Sequence, residues 1–368
     1  MDQRYWIGFN RVKGIGAVKV QRLLDTFGSL ETAWNARPDQ LRDAGLDRKA
    51  IETLLATKQK IDLDAEMARL QRSGAQALTW DDPQYPRSLR NIAQPPPVLY
   101  VHGTLLLADE WAVAVVGTRH ASVYGRDVAR ELAAGLAANG VTVVSGLARG
   151  VDIVAHRAAL EAGGRTIAVL GSGVDNIYPA EHKATAEAIT KSGAVVSDYA
   201  LGTPPDGPNF PPRNRIISGL SKGVVIVEAA EVSGALITAD FAAEQGRDVF
   251  AVPGNIFQRQ AAGTNRLIQQ GAKLVTSVAD ILEELNLAMV SEQKTARAIL
   301  PADATEQRLL ACLSAEPVHI DEIGNQVGMP ISQVSGALAL MELKGIVRQV
   351  GGMQYVVAKE PRASYRVD

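Results

Sequence analysis

Seven short apolar segments between residues 112 and 275, separated by stretches with helical spacing, restrict this chain to a layered α/β architecture. The segments are Ala112–Val116, Val141–Val144, Thr166–Leu170, Ala194–Val196, Val224–Val227, Val249–Val252 and Lys273–Val275. They are strand-length and rich in β-branched residues, and the amphipathic patterns between them are clearest at Arg126–Ala138 and Ile153–Ala162. Repeated βα units of this kind predict a doubly wound, mostly parallel sheet of extended Rossmann-like type. Ligands of such sheets bind beyond the carboxyl ends of the strands, near the point where the strand order reverses. Functional residues are therefore expected in the loops that follow the strands.

The flanks follow other patterns. In the first 75 residues, Val12-Lys13-Gly14-Ile15-Gly16 precedes a helical spacing of Ala17, Val18, Val20, Leu23 and Leu24. A Gly-Ile-Gly turn before a helix leaves backbone N–H groups open to a phosphate, which resembles a helix-hairpin-helix element. Lys13, Lys19 and Arg22 lie close by, and Leu41–Leu46 is a weaker echo ahead of a helix around Ile51–Leu55. The alternative is that these glycines only permit tight interhelical turns. At the other end, helices are expected around Thr305–Leu313, from His319 to Gly328, and from Ile331 to about Lys344. A hairpin with a Gly351-Gly352 turn follows over residues 345–357. Helix-turn-helix plus hairpin is a winged-helix pattern. The expected divisions are a helical helix-hairpin-helix/SAM-like domain at 1–75, a Rossmann-like domain at 76–288, a linker at 289–302, a winged helix at 303–358 and a tail at 359–368.

Composition narrows the function classes. With 368 residues, 46% hydrophobic and 21% charged, the chain can build two or three cored domains and is not globally disordered. A net charge of −2 excludes a protein that simply coats nucleic acid with positive charge, but not a local basic site. Basic residues outnumber acidic ones 13 to 10 over residues 1–80, while acids prevail 22 to 19 over 81–300 and 8 to 6 thereafter. The single cysteine, Cys312, forms no intrachain disulfide, and the five histidines lack zinc-ligand spacing. Neither a metal nor a cofactor is expected. No membrane-length apolar run or signal-peptide pattern is seen, so the expectation is a soluble cytoplasmic protein.

Three loops carry candidate chemistry. After the first segment comes Gly117-Thr118-Arg119-His120-Ala121-Ser122-Val123-Tyr124-Gly125. Gly117 allows close backbone approach, Thr118 and Ser122 can hydrogen-bond phosphate oxygens, and Arg119 offers a bidentate cation. The next helix adds the positive end of its dipole. The loop after the second segment, Ser145-Gly146-Leu147-Ala148-Arg149-Gly150-Val151-Asp152, again combines a hydroxyl, glycines and a helix start. Asp152 reads as a helix N-cap and His156 as a packed histidine in preference to a catalytic pair. Gly171-Ser172-Gly173 lacks the last glycine of a dinucleotide fingerprint. The third stretch, Asn209–Lys222, places Phe210 beside Arg213, Asn214 and Arg215 without any acid. An aromatic beside arginines suits a single strand, whose bases stack while cations follow the backbone.

These motifs together resemble DNA-processing protein A, the DprA/Smf family. The resemblance rests on Gly117-Thr118-Arg119, Ser145–Asp152 with His156, Phe210–Ser221 and Ala251-Val252-Pro253-Gly254 in that order, and it covers most of residues 80–285. It implies a non-catalytic protein that binds single-stranded DNA regardless of sequence. Such a protein loads the recombinase RecA onto incoming strands in natural transformation, and dimerises through the Rossmann-like domain. The implied DNA-binding residues are Gly117, Thr118, Arg119, Phe210, Arg213, Asn214 and Arg215, with Ser122, Tyr124, Gly125, Ser145 and Gly146 as supports. Two departures stand out: Asp206-Gly207-Pro208-Asn209 lacks the basic residue many relatives carry before the aromatic, and Asp198 replaces a common Glu. The first implies a less cationic pocket.

Two rival readings exist. A nucleoside-phosphate hydrolase on a related fold would use Glu231–Phe241 as its phosphate loop, but the paired glycines are missing, and Glu228 is the remaining candidate base. A transcriptional regulator would read duplex DNA through Ile331–Lys344, yet only Gln333 there is suited to reading a base.

Overall fold

The structure is a computed structural model that describes residues 2–287, 304–313, 317–343 and 347–357. The expected linker 289–302 and tail 359–368 lie outside these residues, as do Lys344, Gly345 and Ile346. Two compact units are present, one up to residue 290 and one from 291 onward.

In the first unit, nine strands form one sheet. They are β1 (Gln76–Thr79), β2 (Val98–Gly103), β3 (Ala112–Val116), β4 (Thr142–Ser145), β5 (Thr166–Val169), β6 (Ala194–Ser197), β7 (Gly223–Ile226), β8 (Asp248–Ala251) and β9 (Lys273–Leu274). Their spatial order is β1-β2-β6-β5-β4-β3-β7-β8-β9. All seven expected segments are strands, and they pair in parallel, in register such as Ala114 opposite Val224. β1 and β2 add an antiparallel edge. Sequence reading missed these two because no helical crossover announces them. The Pro-rich stretch before β2 is fastened by Trp80 Nε1 and Tyr85 Oη, which both donate to the Pro96 carbonyl, at 2.9 and 2.8 Å.

The period-2 geometry of β3, β4 and β7 divides their side chains between two cores. Val113, Val115, Val143 and Val225 face one side with Leu132, Leu136 and Phe250. Ala114, Val116, Val144, Val224 and Ile226 face the other with Ile216, Ile217 and Leu236. Burial on both faces explains why these strands read as unbroken apolar runs. The covering helices include α1 (Val123–Ala138), α2 (Val151–Glu161), α3 (Phe210–Gly219) and α4 (Gly234–Glu244).

The first 75 residues form six short helices between Gln3 and Ser73. Their core includes Trp6, Phe9, Leu23, Leu41 and Leu54, and it continues into Tyr100, Leu170 and Val195 of the sheet region. Trp6 meets Trp80 edge-on, with ring centroids 5.7 Å apart. The helix predicted after the Gly-Ile-Gly turn runs from Ala17 to Phe27, with Gly16 at its N-cap making no side-chain capping bond. Two of the nearby cations are already engaged. Lys19 pairs with Asp47 at 2.6 Å, and Arg22 reaches the Gly45 carbonyl at 3.5 Å.

The second unit has helices Ala304–Ala311, Ile320–Val327 and Ile331–Leu343. Three strands accompany them, with Gln354–Val357 between Val318–His319 and Val347–Gly351. Leu309, Ile323, Val334, Leu338 and Met341 make its core. Gly328 ends the second helix at φ +66° as expected. The hairpin turn differs by one residue from expectation. Gly351 pairs with Gln354 after a bulge following Gln349, and the turn consists of Gly352 (φ +55°) and Met353 (φ +59°). Both central positions of such a two-residue turn require positive φ, so Met353 takes the conformation a glycine would favour.

Candidate nucleic-acid interface

β3 is where the strand order reverses. β4, β5 and β6 run off to one side, and β7, β8 and β9 to the other. The loops after β3 and β7 therefore diverge and open a crevice. The chain between β6 and β7 crosses this end of the sheet and delivers Phe210 and α3 to it. The result is a cavity of about 630 Å³, lined on one wall by Gly117, Thr118 and Arg119, on another by Phe210, Arg213 and Asn214, and closed by Ser233 and Gly234.

The loop after β3 is held by Glu228, at the end of β7. Its backbone carbonyl accepts from Thr118 N (2.8 Å), and its carboxylate accepts from Ser122 N (2.9 Å) and Ser122 Oγ (2.5 Å). Ser122 Oγ in turn caps α1 by accepting from Gly125 N at 3.0 Å. This departs from the sequence reading in two respects. Ser122 and the start of α1 already face a carboxylate, so that helix end is not left open to a phosphate. Glu228, the candidate base of a hydrolase, is buried in a structural contact and does not line the cavity. Gly125 is glycine for packing, since a Cβ there would lie 2.2 Å from Glu228 Oε2. Gly125→Ala is expected to destabilise the fold by about 1–3 kcal/mol through overpacking, measurable by urea denaturation.

Arg119 is exposed, and its guanidinium carbon sits 5.2 Å from the centroid of the Phe210 ring. The other neighbour of that ring is Tyr178, at 5.8 Å and 35°. Gly171 makes room for it, because a Cβ at that position would fall 2.9 Å from Phe210 Cδ1. The Gly171-Ser172-Gly173 loop thus seats an aromatic rather than a dinucleotide. Tyr178 and the Ser233-Gly234 start of α4 line the cavity but were missed as site residues; an aromatic beyond one strand and a Ser-Gly pair opening a helix beyond another were the available signals.

The arginines of α3 divide. Arg213, expected at a phosphate, is only 4% exposed. Its Nη1 donates to the Gly146 carbonyl at 2.9 Å and to the Val169 carbonyl, joining α3 to the ends of β4 and β5. Burial lowers its pKa to about 10 despite the opposing charge of Asp152. Asp152 does not cap its own helix. It accepts from Gly146 N (3.1 Å) and Ala148 N (3.4 Å) and holds that loop from within, and burial pushes its carboxyl upward in pKa. Gly146 lies between these charges, where a Cβ would be 2.2 Å from Arg213 Nη1. Arg215 faces away from the cavity and pairs with Asp198 at 2.7 Å, both about 16% exposed. The physical reason is helical geometry: positions two apart on α3 point to different sides.

The remaining expected residues are supports. Asn214 lines the cavity while its Nδ2 donates to the Gly234 carbonyl at 3.1 Å, tying α3 to the start of α4. Ser145 is fully buried and donates to the Val115 carbonyl at 2.7 Å. Tyr124 donates from Oη to the Pro253 carbonyl at 3.0 Å. His156 is buried with Nδ1 2.7 Å from Thr166 Oγ1, and desolvation lowers its pKa to about 3, so it stays neutral inside the fold. Among the described residues, no cluster of His, Cys, Asp and Glu could hold a metal ion, and no helix is long and apolar enough to cross a membrane.

Comparison with known proteins agrees with this architecture. The family described as DNA recombination-mediator protein A matches residues 76–286, and the DprA winged helix domain matches residues 293–353. Protein Smf of Synechocystis sp. is 37% identical across 96% of this chain and 98% of its own length. DNA processing protein DprA of Bacillus subtilis is 44% identical across 60% of this chain and 74% of its own length. The crystal structure of DNA processing protein A from Streptococcus pneumoniae superimposes with a TM-score of 0.68 at 37% identity, covering 76% of this chain and 97% of that one. The solved structure of DNA processing protein A from Helicobacter pylori, described for its single-stranded DNA binding mode, gives a TM-score of 0.52 at 31% identity, covering 58% of this chain and 97% of that one. The chain belongs to the DNA recombination-mediator protein A (DprA/Smf) family.

Proposed function

We propose that this protein binds single-stranded DNA, without regard to sequence, in the cavity at the carboxyl end of β3 and β7, and that it loads RecA onto that strand in natural transformation and recombination. The observation that carries the DNA reading is Arg119, an exposed guanidinium stacked against Phe210 at the mouth of the crevice. Arg119 contacts a phosphate, Thr118 and the α4 start supply further donors, and Phe210, flanked by Tyr178, stacks on a base. Arg213, Asn214, Ser122, Tyr124, Gly125, Ser145 and Gly146 keep the two walls in place, and Arg215 acts outside the cavity. The names of the family and of its members, recombination mediation and DNA processing, support this reading. The protein acts without catalysis, cofactor or metal. It works as a homodimer through the Rossmann-like domain, which puts two sites on one strand and raises the effective affinity by linkage.

The test is anisotropy of labelled oligo-dT with matched duplex as competitor. Single strand is expected to win, and Phe210→Ala to weaken binding about tenfold, within the range of about 1–3 kcal/mol for one stacked base. Preference for duplex, or an unchanged affinity in Phe210→Ala, would contradict the assignment.

A further inference from the structure

Two loops beside the cavity expose large apolar side chains that no fold requirement explains. Val232 is 97% exposed, Ile256 80% and Phe257 90%. They stand on the loops after β7 and β8, neighbouring parallel strands, at the same end of the sheet as the cavity. The loops are joined by backbone bonds, Ala229 N to the Gln260 carbonyl and Gly263 N to the Ala229 carbonyl, each 2.8 Å. Val232 immediately precedes Ser233 and Gly234, which line the cavity.

The turn bearing Phe257 is pinned in place. Asn255 Oδ1 accepts from Phe257 N at 2.9 Å, the Asn255 carbonyl accepts from Gln258 N at 2.9 Å, and Asn265 clasps Gly254 through two bonds of 3.1 and 3.0 Å. Tyr124, by donating to Pro253, ties the chain just before that turn to the first turn of α1. A fixed turn that holds an aromatic ring in solvent is pre-organised to bind, because little ordering remains to be done on contact. Arg259, exposed two residues on, places a cation close in sequence to the exposed aromatic. The other charges on the two loops are both acidic, Glu228, which is buried against Ser122, and Glu231, so attraction for phosphate there is weak and stacking is the main favourable term.

We propose that the turn Asn255–Arg259 is a second contact for the same single strand, where it leaves the cavity across Val232. Phe257 stacks on a base, Ile256 and Val232 cover its edge, and Arg259 meets the adjoining phosphate. This rests on the single-strand reading of the cavity and extends it by a subsite that only longer strands reach.

The test is anisotropy of full-length protein with labelled dT5 and dT20 across a salt series. Phe257→Ala is expected to weaken dT20 about tenfold and leave dT5 unchanged, with the salt slope preserved because no charge is lost. Arg259→Gln is expected to lower the dT20 slope by about 0.7. Phe257→Trp should bind like wild type, with indole fluorescence quenched by dT20 and not by dT5. An unchanged dT20 affinity in Phe257→Ala, or an equal loss for both lengths, overturns the subsite while the dependence on Arg119 stands. A changed sedimentation coefficient with unchanged affinity overturns it in favour of a protein-binding face. If wild type binds neither oligonucleotide, the cavity reading and the subsite fall together.

Discussion

Arg119→Ala is expected to reduce affinity for oligo-dT about ten- to a hundredfold, since a hydrogen bond to a charged group contributes about 1.5–3 kcal/mol. The same variant should lower the slope of log affinity against log salt by about 0.7, the value for one phosphate contact on a single strand. Its thermal midpoint should stay at the wild-type value, because the side chain is exposed and its ring contact is with Phe210 at the cavity mouth. Arg119→Lys keeps the charge but loses the planar fork and its stacking on the ring, so partial recovery with a restored slope is expected. Full affinity in a folded Arg119→Ala protein would remove the cavity from consideration as the strand's seat.

Arg213→Ala should behave in the opposite way. Its guanidinium is enclosed and satisfies the carbonyls of Gly146 and Val169, with Asp152 close behind Gly146. Deleting one member of such a buried charged arrangement leaves its partners uncompensated and costs about 3–5 kcal/mol. Urea denaturation should show a large fall in midpoint, and Arg213→Lys should not restore it, because an ammonium cannot present the same planar donors. DNA binding should fail only to the extent that the protein unfolds. A wild-type midpoint with lost binding would instead make Arg213 a phosphate ligand and contradict the inward orientation.

The contrast between these arginines shows where sequence reading stopped. Phe210-Pro211-Pro212-Arg213-Asn214-Arg215 supplies an aromatic and two cations, and composition alone treats the cations alike. Helical geometry sends Arg213 into the gap between α3 and the strand ends, and Arg215 toward Asp198. Arg119, in a loop whose own sequence carries no acid, is exposed and lies over Phe210. Ser122 was legible as a hydroxyl for phosphate oxygens, but it is held by a carboxylate 106 residues away, at Glu228. Tyr178 and the Ser233-Gly234 start of α4 reach the cavity only because β5 and β7 end at the same edge of the sheet.

By itself the sequence determined the parallel βα core, the carboxyl edge where the candidate loops gather, the helical and winged-helix flanks, and the family. These depend on short-range periodicity and on motifs whose residues are neighbours in the chain. The tertiary structure decided which candidate side chains face a cavity and which face protein. It also showed that the first 75 residues share a core with the sheet, and that the sheet gains an antiparallel edge. Those outcomes depend on distant partners, and whether a buried charge becomes a strut or a ligand is settled by which distant carbonyl or carboxylate lies within hydrogen-bonding distance.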